Sequence, residues 1–253
     1  MVSTSGSSGI MRKKYNFGYT KVNQKQKTKL VQGVFSRVAS NYDIMNDLMS
    51  FGMHRLWKKR FVEIIDLNSN DVVLDVGSGS GDIALALIKK NIKSKLHLLD
   101  LNKEMLSQGK KKFKGKKNIS FINGNAEKLE FQDNFFDKYI ISFCLRNITE
   151  YRLSIKEAFR VLKSGGKYCC LEFSSPKSSI ILNSYKIYKS NILPFLGDFV
   201  AKDKNAYKYL SESIDLFPSQ EELSKILISS GFVNVHSVNL FNGIVAIHIG
   251  FKI

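Results

Sequence analysis

An α/β fold, Rossmann-like and centred on a mostly parallel sheet, is what this chain predicts, and three observations carry that expectation. From Val72 onward, short apolar runs alternate with stretches of helical periodicity. The first apolar run, Val72-Val73-Leu74-Asp75-Val76, passes directly into Gly77-Ser78-Gly79-Ser80-Gly81-Asp82 and then into the helical Ile83-Ala84-Leu85-Ala86-Leu87-Ile88. Two strands separated by a short turn close the chain, so the last strand is expected to run antiparallel beside the fifth. At 253 residues, 43% of them apolar, the chain suits one domain with a full-sized core.

Residues 1–14 are Ser/Gly-rich and then basic, with no acidic residue before Asp43, and read as a disordered leader. The apolar segment of a signal peptide is missing, and only Arg12 and Arg37 are arginines before the first acid, which argues against a transit peptide. Residues 15–70 read as a helical cover. Val31, Val34, Phe35 and Val38 recur at helical spacing, and a second apolar stripe surrounds Trp57 and Phe61. The stretch between them, from Asn41 to Arg55, holds too many apolar and aromatic residues for a linker.

Residues 71–175 form the expected cofactor core. Glycines at 77, 79 and 81 allow a tight turn that brings a ligand close to the backbone and to the following helix N-terminus. One frame, Gly79, Gly81 and Ala84, matches a dinucleotide loop. The other frame, Asp75 with Gly77, Gly79 and Gly81, matches a methyl-donor loop. No Gly-Lys-Ser/Thr closes the run, which excludes a P-loop. The second strand, Lys95 to Leu99, ends in Asp100, about twenty residues after the glycines, where a carboxylate meets ribose hydroxyls. Both cofactor types carry that ribose.

A third strand, Ile119 to Ile122, leads to Asn125 and Ala126, where a short polar residue can reach an adenine edge. The fourth, Tyr139 to Phe143, contains Ser142 and runs into Cys144-Leu145-Arg146-Asn147. Thr149 reads as the N-cap of a helix bearing Ile155, Ala158, Phe159 and Leu162 and ending at Gly165-Gly166. Strand five is Lys167 to Phe173. Residues 176–218 are an aromatic-rich insertion suited to a substrate lid, and residues 219–253 hold the last helix and the terminal hairpin. Ser219 and Glu222 make a capping box for that helix, which closes at Gly231. Such a hairpin belongs to class I methyltransferases and is absent from Rossmann dehydrogenases. Tyr185 and Lys189 have the spacing of a short-chain dehydrogenase pair, but those enzymes place their glycine loop near the N-terminus.

The net charge of +17 could attract an anionic membrane face or nucleic acid. Against nucleic acid, the run from Lys110 to Lys117 interleaves only Phe113, and no Asn/Asp-Pro-Pro-aromatic signature follows strand four. No apolar run approaches the ~18 residues that cross a bilayer. Cys144, Cys169 and Cys170 lack metal-ligand spacing and read as reduced thiols, with Cys169 and Cys170 on opposite faces of one strand. No metal site is expected.

With these residues in place the chain resembles the C-methyltransferases of ubiquinone and menaquinone biosynthesis, the UbiE/MenG type, from Phe17 to its end. The specific motifs are Val34 to Asp47 with Met49-Ser50, His54-Arg55-Leu56-Trp57-Lys58, Leu145-Arg146-Asn147-Ile148-Thr149 and Arg160-Val161-Leu162-Lys163 before Gly165-Gly166. Leu171-Glu172-Phe173-Ser174, Tyr209 to Ile214 and Gly243 to His248 complete them. Ser164 stands where the family usually has Pro, and Gly77-Ser78-Gly79-Ser80 where relatives often show Ala-Gly-Gly-Thr.

The resemblance implies S-adenosyl-L-methionine as cofactor, with contacts at Ser80, Asp100, Asn125, Ala126 and Ser142. It also implies methylation of a ring carbon on a lipophilic prenylated quinol, either a benzoquinol or a naphthoquinol. A phenolate is the better carbon nucleophile, and with a phenol pKa near 10 its formation at pH 7 costs about 4 kcal/mol. Arg146 is the first choice to stabilise that anion, Asn147 to orient a ring oxygen, and Tyr42 to act as hydrogen-bond partner or proton relay. His54 and His248 are further proton-acceptor candidates. The expected setting is cytoplasmic, at the inner face of the membrane, with the mitochondrial matrix side as the alternative. Peripheral membrane contact, a quinone-synthesis complex and a homodimer stay open as partners. Nucleic acid is not expected.

Overall fold

The computed structural model describes residues 13–39, 46–47, 50–90, 93–176, 178, 183, 185, 188 and 204–253. A two-stranded antiparallel hairpin, Tyr15–Phe17 (β1) and Thr20–Val22 (β2), precedes the cover. The helix Gln24–Val38 (α1) starts earlier than its apolar stripe suggests, because Asn23 and Gln26 form a capping box. The Asn23 Oδ1 accepts from the Gln26 amide at 2.9 Å, and the Asn23 amide donates to the Gln26 Oε1 at 3.0 Å. Met53–Ile65 (α2) buries Trp57, Phe61, Val62 and Ile65 along one stripe.

Seven strands make the main sheet. They are Val72–Val76 (β3), Lys95–Asp100 (β4), Ile119–Asn123 (β5), Phe136–Ser142 (β6), Leu162–Phe173 (β7), Val233–Leu240 (β8) and Val245–Phe251 (β9). Their order is β5-β4-β3-β6-β7-β9-β8, and only β9 is reversed, lying antiparallel between β7 and β8. The connecting helices are Asp82–Ile88 (α3), Lys103–Lys112 (α4), Tyr151–Val161 (α5), Lys204–Asp215 (α6) and Gln220–Ser229 (α7). The seven-stranded sheet with its antiparallel closing strand is therefore as the sequence predicts. Strand order reverses between β3 and β6, which opens a crevice at their carboxyl ends.

Alternating side chains of the sheet feed two core layers. On one face Leu74, Tyr139, Ile141, Tyr168 and Cys170 pack against α5 and α7. On the other, Val73, Leu98, Ile140, Cys169 and Leu171 pack against α2 and α3, so the adjacent cysteines do divide between faces. A third cluster joins α1 to α6 through Val34, Val38, Ala206, Tyr207 and Tyr209. The N-terminal helices thus separate: α2 covers the sheet, while α1 and α6 roof the carboxyl-edge crevice.

Two local expectations are corrected. Thr149 does not cap α5; its hydroxyl lies 3.1 Å from the Thr28 hydroxyl, and Glu150 takes the N-cap position without a side-chain cap. Leu162 does not continue α5 but pairs with Phe136 as the first residue of β7. The amides of Asn134 and Phe135 donate to the carbonyls of Arg160 and Val161 at 3.1 and 2.8 Å, pulling the helix end straight into the sheet. Gly165 and Gly166 pair with Lys252 at the sheet edge instead of stopping a helix. The Ser219–Glu222 capping box forms as expected, and the helix closes at Gly231 with φ +104°. Most of the expected lid, residues 176–218, lies outside the described residues, but 204–215 is helical.

Candidate active site

Two clefts meet at the crevice and share Phe35, Gly77, Gly79, Ser142, Phe143 and Asn147. The first is bordered by Asp100, Asn102, Asn125, Ala126 and Cys144. The second is bordered by Asp75, Ser78, Ser80, His54, Trp57, Arg146, Phe173, Tyr207 and Tyr209.

The loop after β3 owes its path to glycine. Gly77 adopts φ +63°, and a Cβ there would collide with the Cys144 side chain. Gly81, at φ +83°, caps α3 from behind the loop, where a Cβ would meet Phe113 at 2.6 Å. It borders neither cleft. The other loop residues face the ligand side. The Gly79 amide donates to Asp100 Oδ2 and the Asn102 amide to Asp100 Oδ1, each at 2.8 Å. Burial raises the Asp100 pKa, while these amide hydrogen bonds oppose the shift. Asn102 ties the first cleft to the cover, donating to Gln32 O at 3.2 Å and Ser36 Oγ at 2.9 Å while capping α4. The Asn125 Oδ1 accepts from the Glu127 amide at 2.9 Å, and Ala126 is buried beside it.

Asp75 is 3% exposed, and its Oδ2 has no hydrogen-bond partner among the described residues. Burial, with like charge from Asp100 and Asp82, raises its carboxyl well above the ordinary range. Ser80 donates to Asp82 Oδ1 at 3.2 Å and accepts from Lys112 Nζ at 2.9 Å; Lys58 Nζ reaches Asp82 Oδ2 at 2.7 Å. Against burial, Lys58 and Lys112 hold the Asp82 carboxyl down to about 2. This network bolts the glycine loop to α2 and α4.

Arg146 sits on the short 3₁₀ turn Leu145–Asn147 after β6. Its Nη1 donates to Glu172 Oε1 and to the Phe143 carbonyl, both at 2.7 Å, and its guanidinium carbon lies 5.2 Å from the Phe173 ring centre. The side chains of Arg146 and Glu172 are 6% and 1% exposed, yet Arg146 Nε is buried with no hydrogen-bond partner among the described residues. Burial raises the Glu172 carboxyl, and Arg146 pulls it back. Asn147 donates to the Phe143 carbonyl at 3.3 Å and accepts from the Tyr209 hydroxyl at 3.0 Å. Burial raises the Tyr209 phenol, with the Arg146 charge opposing. Trp57 packs within 6.1 Å of Phe143, Phe173 and Phe241, carrying the apolar wall toward the surface.

Asp75, Gly77, Gly79, Ser80, Asp100, Asn125, Ala126, Ser142, Arg146 and Asn147 therefore converge on the two clefts. Tyr42 lies outside the described residues. His248 faces the α7 side and borders neither cleft; burial lowers its imidazole to about 4, and Gln220 is the nearby backbone group. Sequence reasoning passed over Glu172 and Tyr209 as individual site residues, though each sits in a motif already noted. A lone carboxylate inside the apolar Cys169-Cys170-Leu171-Glu172-Phe173 was the available signal.

Residues 20–252 match the model of the ubiE/COQ5 methyltransferase family. A ubiquinone/menaquinone biosynthesis C-methyltransferase UbiE from Rickettsia prowazekii is 52% identical over 248 residues, spanning 94% of this chain and 98% of that protein. The Rickettsia bellii protein of the same name is 50% identical with the same coverage. A methyltransferase structure from Aquifex aeolicus superposes with a TM-score of 0.58 at 18% identity, covering 78% of this chain and 89% of that one. A Haemonchus contortus phosphoethanolamine N-methyltransferase solved with S-adenosyl-L-methionine gives 0.58 at 15% identity, covering 77% and 52%. At such identities the structural likeness speaks to the fold.

Proposed function

The chain belongs to the ubiE/COQ5 methyltransferase family, and from that premise we propose that it methylates a ring carbon of a prenylated quinol. The acceptor is demethylmenaquinol, 2-polyprenyl-6-methoxy-1,4-benzoquinol or both, and the methyl comes from S-adenosylmethionine. One observation carries the reading: a glycine-loop cleft opens directly into an aromatic cleft that holds a buried arginine.

The residues present fit that donor. Asp100 keeps lone pairs beyond its two amide bonds, and two buried polar atoms at the loop, Asp75 Oδ2 and Ser78 Oγ, have no hydrogen-bond partner among the described residues. Asp100 would hold the ribose hydroxyls and Asn125 with Ala126 the adenine edge. Gly77, Gly79, Ser80 and Ser142 would border the remainder. When bound, the donor supplies an electrophilic methyl on a sulfonium.

The chain's own residues prepare the acceptor. The permanently charged Arg146, fixed by Glu172 and Phe143 O, lowers the cost of forming a ring oxyanion through its remaining N–H groups. Tyr209 fixes Asn147, which orients a second ring oxygen. Trp57, Phe143 and Phe173 exclude water and face the ring. The apolar wall that continues through Phe241 offers the isoprenoid tail a way out. No described helix is long and apolar enough to cross a membrane, so such a tail would be reached from the membrane face, with the basic surface making peripheral contact.

The test is direct. The full chain, S-adenosylmethionine and a short-tailed demethylquinol of each class should yield a ring-methylated product by mass spectrometry. Failure with both acceptors would remove the reading. Arg146→Lys keeps the charge but not the fork, and should lower turnover about 100-fold while calorimetry finds donor binding intact. Loss of donor binding instead would take Arg146 out of the acceptor site.

A further inference from the structure

Resting on the methyl-transfer reading, the geometry points to His54 as the group that takes the proton of the ring hydroxyl, with Asp47 as its positioning partner. His54 lies in the first turn of α2, is 9% exposed, and borders the same cleft as Arg146 and Asn147. Its Nε2 stands 2.8 Å from Asp47 Oδ1. Asp47 also accepts from Arg55 Nε at 2.8 Å and Nη2 at 2.5 Å. The Arg55 and His54 hydrogen bonds hold the Asp47 carboxyl well below its usual range, so it is an acceptor only. Nε2 must then carry the hydrogen, which leaves the lone pair on Nδ1. That atom is buried and has no hydrogen-bond partner among the described residues. A buried acceptor without a donor, on a ring oriented by a carboxylate beside a cleft, is the arrangement a general base requires.

The charge state agrees. Burial lowers the His54 pKa, Lys58 and Arg55 push it the same way, and Asp47 opposes them. Among the described residues, Asp75, Asp82, Arg146 and the phenols of Tyr207 and Tyr209 are the other charged or titratable groups on this cleft, from β3, α3, the turn after β6 and α6. The imidazole is therefore neutral near pH 7 and ready to accept. The Arg146 guanidinium offers donors and no acceptor atom, and the Tyr209 hydroxyl donates to Asn147.

In the step itself the ring O–H bond breaks. The proton moves to Nδ1, and the electron pair stays on the oxygen beside Arg146, enriching the adjacent carbon. That carbon forms its bond to the methyl as the methyl–sulfur bond breaks, the electron pair of that bond staying on sulfur as a neutral thioether. The carbon then sheds its hydrogen to water as a proton. The ring oxygen then regains the proton held by His54, and one proton leaves per turnover.

The experiment compares the full-length wild type with His54→Asn and Asp47→Asn. The pH dependence of methyl transfer should show an acid limb in the wild type, because a protonated imidazole accepts nothing. His54→Asn should lose that limb and about 100-fold in kcat, with KM and donor affinity little changed. Asp47→Asn removes support for the imidazolium, so its limb should move to lower pH. A probe independent of turnover is 2-methoxy-4-nitrophenol, whose phenolate absorbs in the visible. The wild type should ionise it on binding below the probe's own pKa, and His54→Asn should bind it neutral. An unchanged limb in His54→Asn, or an unmoved one in Asp47→Asn, overturns the assignment. Should His54→Asn not fold, the Asp47→Asn limb and the wild-type probe decide. Wild-type protein that ionises the probe yet transfers no methyl would fail the functional reading and leave His54 standing.

Discussion

At the residue scale the site turns on a charge pair that its position alone announced only in half. Arg146 was legible because it follows a strand at the carboxyl edge, where α/β ligands bind. Glu172 was not, since a single carboxylate in a buried strand reads as an interruption of an apolar pattern. The two form one unit. Removing Arg146 leaves Glu172, 1% exposed, without its cation. Burial already raises that carboxyl, and the Arg146 charge is the chief opposing influence. In Arg146→Ala the folded state would hold the Glu172 proton to higher pH than the unfolded state does. Stability then falls as pH rises from the unfolded value of this group through its raised folded value. Arg146→Ala should thus cost little near pH 5 and about 3–5 kcal/mol at pH 8, a drop of about 10 °C in Tm. Thermal unfolding at the two pH values checks this, and an equal loss at both would mean that Glu172 is not the group left exposed to the penalty.

At the element scale, start and stop signals were legible where a side chain satisfies its own helix end, and misleading where it serves another element. Ser219 and Glu222 bond only each other's backbone across the first turn of α7, so the motif and the cap coincide. Thr149 carries the same chemistry, but its hydroxyl is committed to Thr28 on α1, a contact between distant parts of the chain that no local pattern records. The β1–β2 hairpin escaped for a related reason: three-residue strands carry too little alternation to be seen. Ser219→Ala should cost about 1 kcal/mol, near 3 °C in Tm, with donor binding unaffected. Gly81→Ala should cost more, about 2–4 kcal/mol, by adding left-handed strain to a collision with Phe113. Parallel melting curves test the ranking. If Gly81→Ala were the milder change, the loop path would not depend on glycine behind the cleft.

At the scale of the whole molecule the succession of elements was readable and the surface was not. Strand count, order of elements and the reversed last strand all follow from periodicity and turns, which act locally. Charge is different, because a net +17 says nothing of where the lysines point. The run from Lys110 to Lys117 looked like one solvated patch, yet Lys112 reaches inward to Ser80 and Asp82, and Phe113 is buried against the glycine loop. The remaining lysines of that run are exposed and make no ion pair among the described residues. A prenylated acceptor resides in a membrane, and a basic excess lowers the energy of the protein at an anionic bilayer by roughly 1 kcal/mol for each cation brought close. Within a Debye length of about 10 Å at 0.1 M salt that attraction survives, and at several-fold higher salt it does not. Cosedimentation with phosphatidylglycerol vesicles should accordingly be strong at low ionic strength and fall steeply as salt is added, while phosphatidylcholine vesicles capture little. Capture by both lipids alike, independent of salt, would assign membrane contact to the apolar wall around Trp57 and Phe241 instead of to charge. Loss of vesicle binding on adding RNA, with RNA itself retained, would redirect the basic surface to nucleic acid.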